Sequence, residues 1–199
     1  MADLEKTGKN LEGRGFRVHR FASGAEAAEF LVQTLHGTSI GIGGSVTIDT
    51  LGVYDRLCGS NEVFWHWKNH APETRERAGK AETYLCSANG VSENGEIVNI
   101  DGFGNRVAGT IYGPERVFLV VGRNKIAPDL TGAIDRARNI AAPLNARRLN
   151  RHTPCAVGEP RRHDCRSPEK VCGVMTVFFM PPTSIKEFHV ILVDEDLGY

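Results

Sequence analysis

The run Val117-Phe118-Leu119-Val120-Val121 constrains the fold most, because it is apolar at every position. A strand with one face in water alternates polar and apolar residues, whereas a continuous apolar run is typical of a central strand buried on both faces of a sheet. Shorter β-prone stretches occur on both sides of it along the chain. Further strands are predicted over residues 39–42, 63–67, 83–87, 96–100, 174–179 and 188–193, and the 96–100 strand, which alternates, is expected to be half-buried.

Helical spacing of apolar residues alternates with these strands. It predicts helices over residues 24–35, 46–57, 74–81 and 129–139, with Ser23 and Asp129 as N-caps and Pro143 beyond the last helix. Strands that alternate with helices require crossover connections, so we predict an α/β fold with a mostly parallel sheet flanked by helices.

Residues 143–173 differ from the rest, since they are rich in Pro, Arg and Cys and show little periodicity. A segment of this length without regular structure in a compact domain is usually functional or disordered. We therefore predict one domain over residues 1–199 that contains an irregular, cysteine-containing segment over 143–173.

Composition narrows the class of protein. The chain has 199 residues, 41% of them hydrophobic, as expected for one globular domain. Lys+Arg and Asp+Glu are equal at 24 each, so the basic excess of a nucleic-acid binder is missing. No apolar run approaches the roughly 20 residues that span a bilayer, and residues 1–10 do not resemble a secretory signal. We expect a cytoplasmic protein that binds neither nucleic acid nor membrane.

A glycine-rich turn follows the first predicted strand of the central sheet. Gly43 and Gly44 would let a ligand approach the backbone closely, while Ser45 and Thr47 add hydroxyl groups at the start of a helix. This pattern indicates a site for a small anion, either phosphate or carboxylate. The alternative is a tight turn in which Ser45 only caps the helix.

Polar residues also follow other predicted strands. Asn89 follows one, Asn105 and Arg106 a second, and Asn124 and Lys125 the most apolar one. If the sheet is parallel, the carboxyl ends of its strands bring such loops to one edge, where ligands bind in open α/β sheets. Arg106 and Lys125 could both bind the anion. Their alternatives are a surface ion pair of Arg106 with a glutamate and a solvated Lys125.

Three cysteines fall within the irregular segment. Cys155, Cys165 and Cys172 have nine and six residues between them, and His163 lies among them. Thiolates suit zinc or an iron–sulfur cluster, and metal binding would order a segment that has little apolar sequence of its own. The alternative is three incidental thiols. Cys58 and Cys86 lie beside apolar residues and are predicted to be core.

Several motifs in order along the chain resemble the lactate-utilisation (LUD) domain family, of the LutC and YkgG type. They cover about residues 20–199 and include 41–47, 87–89, 99–107, 112–114, 121–126, 142–143, 153–155 and 197–199. The resemblance implies a fold like that of the ribose-phosphate isomerase and CoA-transferase group. It also implies a place beside the oxidation of lactate to pyruvate, where related proteins work with iron–sulfur subunits.

The cysteine-containing segment resembles a variant of that family with four cysteines, of which the second is missing here. By this resemblance, three thiolates would hold a cubane 4Fe–4S cluster with one open iron. His163 or His152 would instead complete a zinc site with three cysteines, and such a closed site would be structural.

Three functions follow from these features. The first is a cluster- or metal-binding accessory or electron-transfer component in the oxidation of lactate or a similar hydroxy acid. The second is a non-redox enzyme of the isomerase, CoA-transferase or formyltetrahydrofolate cyclo-ligase type. It would bind a phosphorylated or CoA-like ligand at the glycine turn, with Asp101 or Glu96 as acid, base or nucleophile. The third is a non-catalytic subunit that binds an iron–sulfur partner.

Overall fold

The structure is a computed structural model that describes residues 3–199, and it contains two sheets flanked by helices. The strands are β1 (Arg17–Phe21), β2 (Ser39–Ile42), β3 (Glu62–Trp65), β4 (Thr83–Ser87), β5 (Gly90–Ser92), β6 (Ile97–Asp101), β7 (Arg116–Gly122), β8 (Ile126–Ala127), β9 (Val174–Phe178) and β10 (Glu187–Val193). The helices are α1 (Leu4–Gly13), α2 (Gly24–Thr34), α3 (Val46–Thr50), α4 (Tyr54–Cys58), α5 (Thr74–Lys80), α6 (Asn105–Gly109), α7 (Leu130–Arg136), α8 (Ala142–Arg148) and α9 (Pro154–Val157).

The larger sheet has six strands in the order β1-β10-β7-β4-β2-β3, and all its pairings are parallel. The predicted α/β fold with a parallel sheet is thus confirmed. Strand β7 is buried on both faces, as its composition predicts. Phe118 and Val120 belong to the core on one face, and Leu119 belongs to the core on the other.

A second, mixed sheet in the order β8-β5-β6-β9 was not expected from the sequence. Gly95, at φ +92°, turns the chain between the antiparallel strands β5 and β6. The prediction that residues 96–100 are half-buried is wrong. Ile97 belongs to the same core as Leu119 of β7, while Val98 packs against Ala133 of α7. Both faces of β6 are therefore covered, and polar Asn99 is fully buried there.

The helix predicted over 46–57 is two short helices, α3 and α4. Gly52 lies between them at φ +64°, a left-handed conformation that breaks a helix and that glycine adopts without strain. Ser23 and Asp129 are N-caps as predicted, accepting from the amides of Glu26 and Gly132. Residues 4–21, where the pattern predicts no element, form α1 and β1.

The helix predicted to end before Pro143 continues to Arg148. Residues Ala137–Ala141 form a π-helical turn between α7 and α8, and Pro143 lies in the first turn of α8. Proline cannot donate a backbone hydrogen bond, and the π-helical turn directly before it is the irregularity with which the helix accommodates the missing bond. The prediction that residues 143–173 are irregular is therefore wrong for α8 and α9.

The cysteine segment, defined here as residues 154–173, begins with the single turn of α9 and is otherwise irregular. Cys86 is buried, as predicted, but Cys58 is exposed, because it lies at the end of the short helix α4. Among residues 3–199, no helix is both long and apolar enough to cross a bilayer.

Candidate anion-binding site

Lys125 lies where the carboxyl ends of β2, β4 and β7 meet. It ends the short 3₁₀ turn after β7 and is only 3% exposed. Its Nζ donates to Thr47 Oγ1 in α3 and to Ser87 Oγ at the end of β4, each at 2.7 Å. The three loops do converge at one sheet edge, and the alternative of a solvated Lys125 is wrong.

The two hydroxyl groups that accept from Lys125 send their own protons elsewhere. Thr47 Oγ1 donates to the Leu197 carbonyl and Ser87 Oγ to the Ala88 carbonyl, each at 3.2 Å. Lys125 thus has neutral hydrogen-bond partners only. Burial lowers the pKa of the Lys125 amine well below its ordinary value of 10.5, and the nearby charges of Arg136 and Arg106 lower it further.

Arg106, at the start of α6, reaches across the same edge. Its guanidinium donates to Asn99 Oδ1 at 2.7 Å, to Asn89 Oδ1 at 2.6 Å, to the Ser87 carbonyl at 2.9 Å and to the Ile100 carbonyl. The alternative of a surface ion pair with a glutamate is wrong, because all four acceptors are neutral.

Arg136 of α7 completes a group of three basic side chains, Lys125, Arg106 and Arg136, which we call the cation cluster. It is 7% exposed and donates to the Asn124 carbonyl at 2.7 Å and to the Asn89 carbonyl. Burial lowers the pKa of Arg136 to about 10. Within residues 3–199, none of Lys125, Arg106 and Arg136 forms an ion pair with a carboxylate. The guanidinium charges of Arg106 and Arg136 in this cation cluster are therefore uncompensated by any carboxylate.

A small space opens beside the cation cluster. This inner cavity has a volume of about 60 Å³ and is lined by residues from all three loops and from α8. Polar groups dominate its wall. They include Ser45, Thr47, Ser87, Asn89, Lys125 and Arg148.

A larger outer cleft of about 700 Å³ adjoins the inner cavity. The two share Arg106 and Arg148 in their walls. Basic side chains outnumber acidic ones in the cleft. Its charged residues are Arg75, Arg106, Arg148, Arg151 and Lys170 against Asp101 and Glu169. An anion that enters the cleft is thus drawn towards the cavity.

Arg148 stands where the cavity and the cleft meet, and sequence reasoning missed it. Its guanidinium lies 4.5 Å from the centre of the Trp67 ring and donates to Asn145 Oδ1 at 2.8 Å. No carboxylate pairs with it within the described chain. The sequence held a signal for it, because Ala142, Ala146 and Leu149 continue the helical spacing beyond Pro143.

The glycine turn lets neighbouring side chains approach the backbone closely, but it does not supply a strong helix dipole. A Cβ on Gly43 would lie 3.0 Å from Arg106 Cγ, and one on Gly44 would lie 3.3 Å from Trp67 Nε1. Ser45 caps α3 by accepting from the Ile48 amide, as the alternative of a tight turn expected. Helix α3 has only five residues, so its dipole is small, and side-chain cations supply the positive charge instead.

Three asparagines predicted for the site have different positions. Asn89 is its hub, because its side chain and its carbonyl accept from Arg106 and Arg136. Asn105 lines the outer cleft. Asn124 instead fixes the last residues of the chain, since it donates to the Gly198 carbonyl and accepts from the Leu197 amide, each at 3.1 Å.

The two carboxylates proposed for acid–base chemistry are both engaged. Asp101 lines the outer cleft, but its oxygens accept from the amides of Phe103, Arg106 and Val107 and so hold the start of α6. Glu96 pairs with Arg14 and lines neither the inner cavity nor the outer cleft.

The three thiols of the cysteine segment are half-buried neighbours. Burial raises the pKa of the Cys172 thiol, and Cys155 and Cys165 are near enough to raise it further. Thr153 Oγ1 contacts Cys155 Sγ at 3.2 Å, while the His163 Nε2 contacts the Glu159 carbonyl at 2.9 Å. In the described residues, no three His, Cys, Asp or Glu side chains converge in a metal-binding arrangement. The donor chemistry fits a soft metal or a cluster, but the three sulfurs do not converge as a ligand set among the described residues.

The cysteine segment also forms part of the wall of the candidate site. Val171, next to Cys172, lines both the inner cavity and the outer cleft. The contact is close, because a Cβ on Gly102 at the end of β6 would lie 2.8 Å from Val171 Cα. A group held by the three thiols would therefore be a neighbour of any ligand in the cavity.

A parallel α/β sheet with a cation-lined cavity at its carboxyl edge defines the class of protein. The LUD domain model matches residues 4–193, and the chain belongs to the LUD domain family, which is associated with lactate utilisation. The crystal structure of a DUF162 family protein from Deinococcus radiodurans is similar, with a TM-score of 0.56 and 14% identity over 96% of this chain and 95% of that one. At this identity, the likeness shows the fold. A search of the curated proteins found no match.

Proposed function

We infer that this chain binds the small carboxylate of a lactate-utilisation reaction, a 2-hydroxy acid or its 2-oxo acid, in the inner cavity. The observation that carries this proposal is the cation cluster, whose hydrogen bonds all end on neutral acceptors. Buried charge without a counter-ion is costly, and a bound anion would offset that cost.

The size of the inner cavity favours a small ligand. Its 60 Å³ is room for about four to six waters, at roughly 10–15 Å³ each on this measure. Lactate and pyruvate have a comparable number of heavy atoms. Arg148 at the mouth donates from Nε and Nη2 to Asn145 Oδ1, which leaves its Nη1 to donate to a carboxylate.

The cysteine segment supports a redox-associated role for the bound acid. We propose that Cys155, Cys165 and Cys172 hold a 4Fe–4S cluster, with zinc as the alternative and His163 as a candidate fourth ligand. A cluster there would supply electron transfer, whereas a closed zinc site would only order the segment. Support comes from the soft donor chemistry of three half-buried thiols on the segment that contributes Val171 to the cavity wall.

Calorimetric titration of pyruvate, L-lactate and D-lactate into anaerobically purified protein tests the ligand. We expect saturable binding of at least one acid and a matching rise in the melting temperature. Propionate, which keeps the carboxylate but lacks the C2 oxygen, is the control and should bind more weakly. If none of the three acids binds, the proposal is wrong.

The cofactor is tested separately by iron, sulfide and zinc analysis with an absorption spectrum of the same sample. A variant with Cys155, Cys165 and Cys172 all changed to serine is the control and should hold no metal. Protein that is colourless and free of both metals after anaerobic reconstitution would refute the cofactor and leave the ligand proposal standing.

The outer cleft favours a second candidate, a phosphorylated or CoA-like ligand. Its volume of about 700 Å³ suits a molecule much larger than lactate, and its five basic side chains suit phosphate groups. Titration with CoA, acetyl-CoA and ribose 5-phosphate tests it. Tight binding of one of these without binding of lactate or pyruvate would replace the first proposal.

A further inference from the structure

Lys125 carries a chemical capability beyond binding an anion. We propose that its Nζ forms a covalent imine with the C2 carbonyl carbon of a 2-oxo acid held in the inner cavity. This proposal rests on the proposed function, because it uses the same cavity and the 2-oxo member of the same ligand class.

The hydrogen bonds of Lys125 leave the lone pair of its amine available to act as a nucleophile. The amine lies in the cavity wall, and its two contacts are donations to Thr47 Oγ1 and Ser87 Oγ. Both hydroxyl protons already point to carbonyls, so the hydroxyls can only accept from the amine. A neutral amine has two N–H groups and one lone pair. With both N–H groups engaged, the lone pair of Lys125, a residue of the cavity wall, has no hydrogen-bond donor among the contacts of the amine.

The surroundings of Lys125 favour the neutral amine. Burial, Arg136 of α7 and Arg106 of α6 lower its pKa, and only the thiol of Cys86 in β4 acts in the opposite direction. Burial raises the pKa of that thiol to about 12, so it is neutral near pH 7 and adds no negative charge. Nucleophilic lysines in other enzymes are activated by desolvation and by neighbouring cations in this way.

The reaction balances without an oxidant or a reductant. The Nζ lone pair forms a bond to C2 and the carbonyl oxygen takes up a proton, which gives a carbinolamine. Loss of that oxygen as water, with the second amine proton, gives the C=N bond. Both protons that the oxygen takes up come from the amine, and Thr47 Oγ1 and Ser87 Oγ hold the amine in place by accepting from it. The guanidinium of Arg148 at the mouth of the cavity would hold the carboxylate.

Trapping with sodium cyanoborohydride tests the imine. Full-length protein is incubated with pyruvate and the reductant near pH 7, and the intact mass and the labelled peptide are measured. We expect a mass increase equal to pyruvate minus one water plus two hydrogens, located on Lys125. Each unit by which the pKa is lowered gives about tenfold more neutral amine, so Lys125 should be labelled at least about tenfold more than Lys170 in the outer cleft.

Two variants and two other compounds serve as controls. Lys125→Met should lose the adduct, and Lys170→Met should keep it. If Lys125→Met does not fold, Ser87→Ala leaves the amine in place but removes one of its two partners, and trapping should slow. Acetone, which has a carbonyl but no carboxylate, should label Lys125 at least about tenfold less, because a charge-assisted contact contributes roughly 1.5–3 kcal/mol. Lactate has a hydroxyl group in place of the C2 ketone and should not label at all.

The outcomes separate this inference from the proposed function. Calorimetric binding of pyruvate without an adduct on Lys125 would overturn the imine and leave the binding function in place. An adduct spread over surface lysines, or equal labelling by acetone, would also overturn it. Neither binding nor labelling would overturn both proposals together.

Discussion

The inner cavity and the cysteine segment lie against each other but are held in place by opposite means. The cavity is built on the ends of buried strands, and its polar groups are fixed by hydrogen bonds to neutral partners. The cysteine segment is irregular and largely exposed, and it keeps Cys155, Cys165 and Cys172 half-buried. The cavity is thus held by the main sheet itself, whereas the cysteine segment has no strand or long helix to hold it.

The largest effect is expected in the sheet that supports the cavity. Phe118 is fully buried and stacks on His189 with ring centres 4.2 Å apart. Phe118→Ala should lower the free energy of unfolding by about 3–5 kcal/mol, measured by urea denaturation. Val157 in the cysteine segment is 70% exposed, and Val157→Ala should change it by less than about 0.5 kcal/mol. Similar losses in both variants would erase the contrast between the two regions.

Ligand affinity should respond next, at the mouth of the cavity. Arg148→Gln removes the unpaired guanidinium and should weaken pyruvate or lactate binding by about tenfold to hundredfold in calorimetry. Arg147→Gln is the matched control. Arg147 donates to the carbonyls of Ala156 and Gly158 and lines neither space, so the affinity of this variant should stay at the wild-type value. Weaker binding by Arg147→Gln together with unchanged binding by Arg148→Gln would indicate that the ligand binds at the cysteine segment and not in the cavity.

Lys125→Met should change how the free energy of unfolding depends on pH, because it removes the buried amine. Because the pKa of Lys125 is lowered in the folded state, the unfolded chain binds the extra proton as the pH falls below 10.5. As the pH is lowered from 10 to 7, the free energy of unfolding of the wild type should therefore fall relative to that of Lys125→Met. Urea denaturation of both proteins at each pH measures the difference. A gap that is independent of pH would show that burial does not disfavour the charged amine.

The smallest change in global stability is expected from binding of zinc or iron to the cysteine segment. Arg161, Arg162 and Arg166 are exposed there, so trypsin should cut metal-free protein first at these residues. Bound zinc or iron should slow this cleavage at least about tenfold, since a ligand that binds the folded segment stabilises it against local unfolding. The triple serine variant should be cut at one rate with or without metal. Equal rates for the wild type would show that the thiols bind nothing that orders the segment.

The sequence predicted most of the main sheet and much of the candidate site, because strand pattern, caps and turns act locally. Gly43, Gly44, Asn89, Arg106 and Lys125 all lie at the expected edge. It did not predict the second sheet, because β5 and β8 have only three and two residues and the pairings of this sheet join distant parts of the chain. It also ended a helix at Pro143, where a π-turn allows the helix to continue, and so missed Arg148.

What the sequence by itself determined is the family, the parallel α/β fold and the group of polar loops that follow its strands, since these depend on residue order and on the two periodicities of secondary structure. Only the tertiary structure decided that Lys125 is buried, that Arg106 and Arg136 pair with neutral oxygens, and that the cysteine segment lines the same cavity. The physical reason is that burial and charge compensation depend on which distant groups pack around a side chain, and the local pattern of residues carries no record of those neighbours.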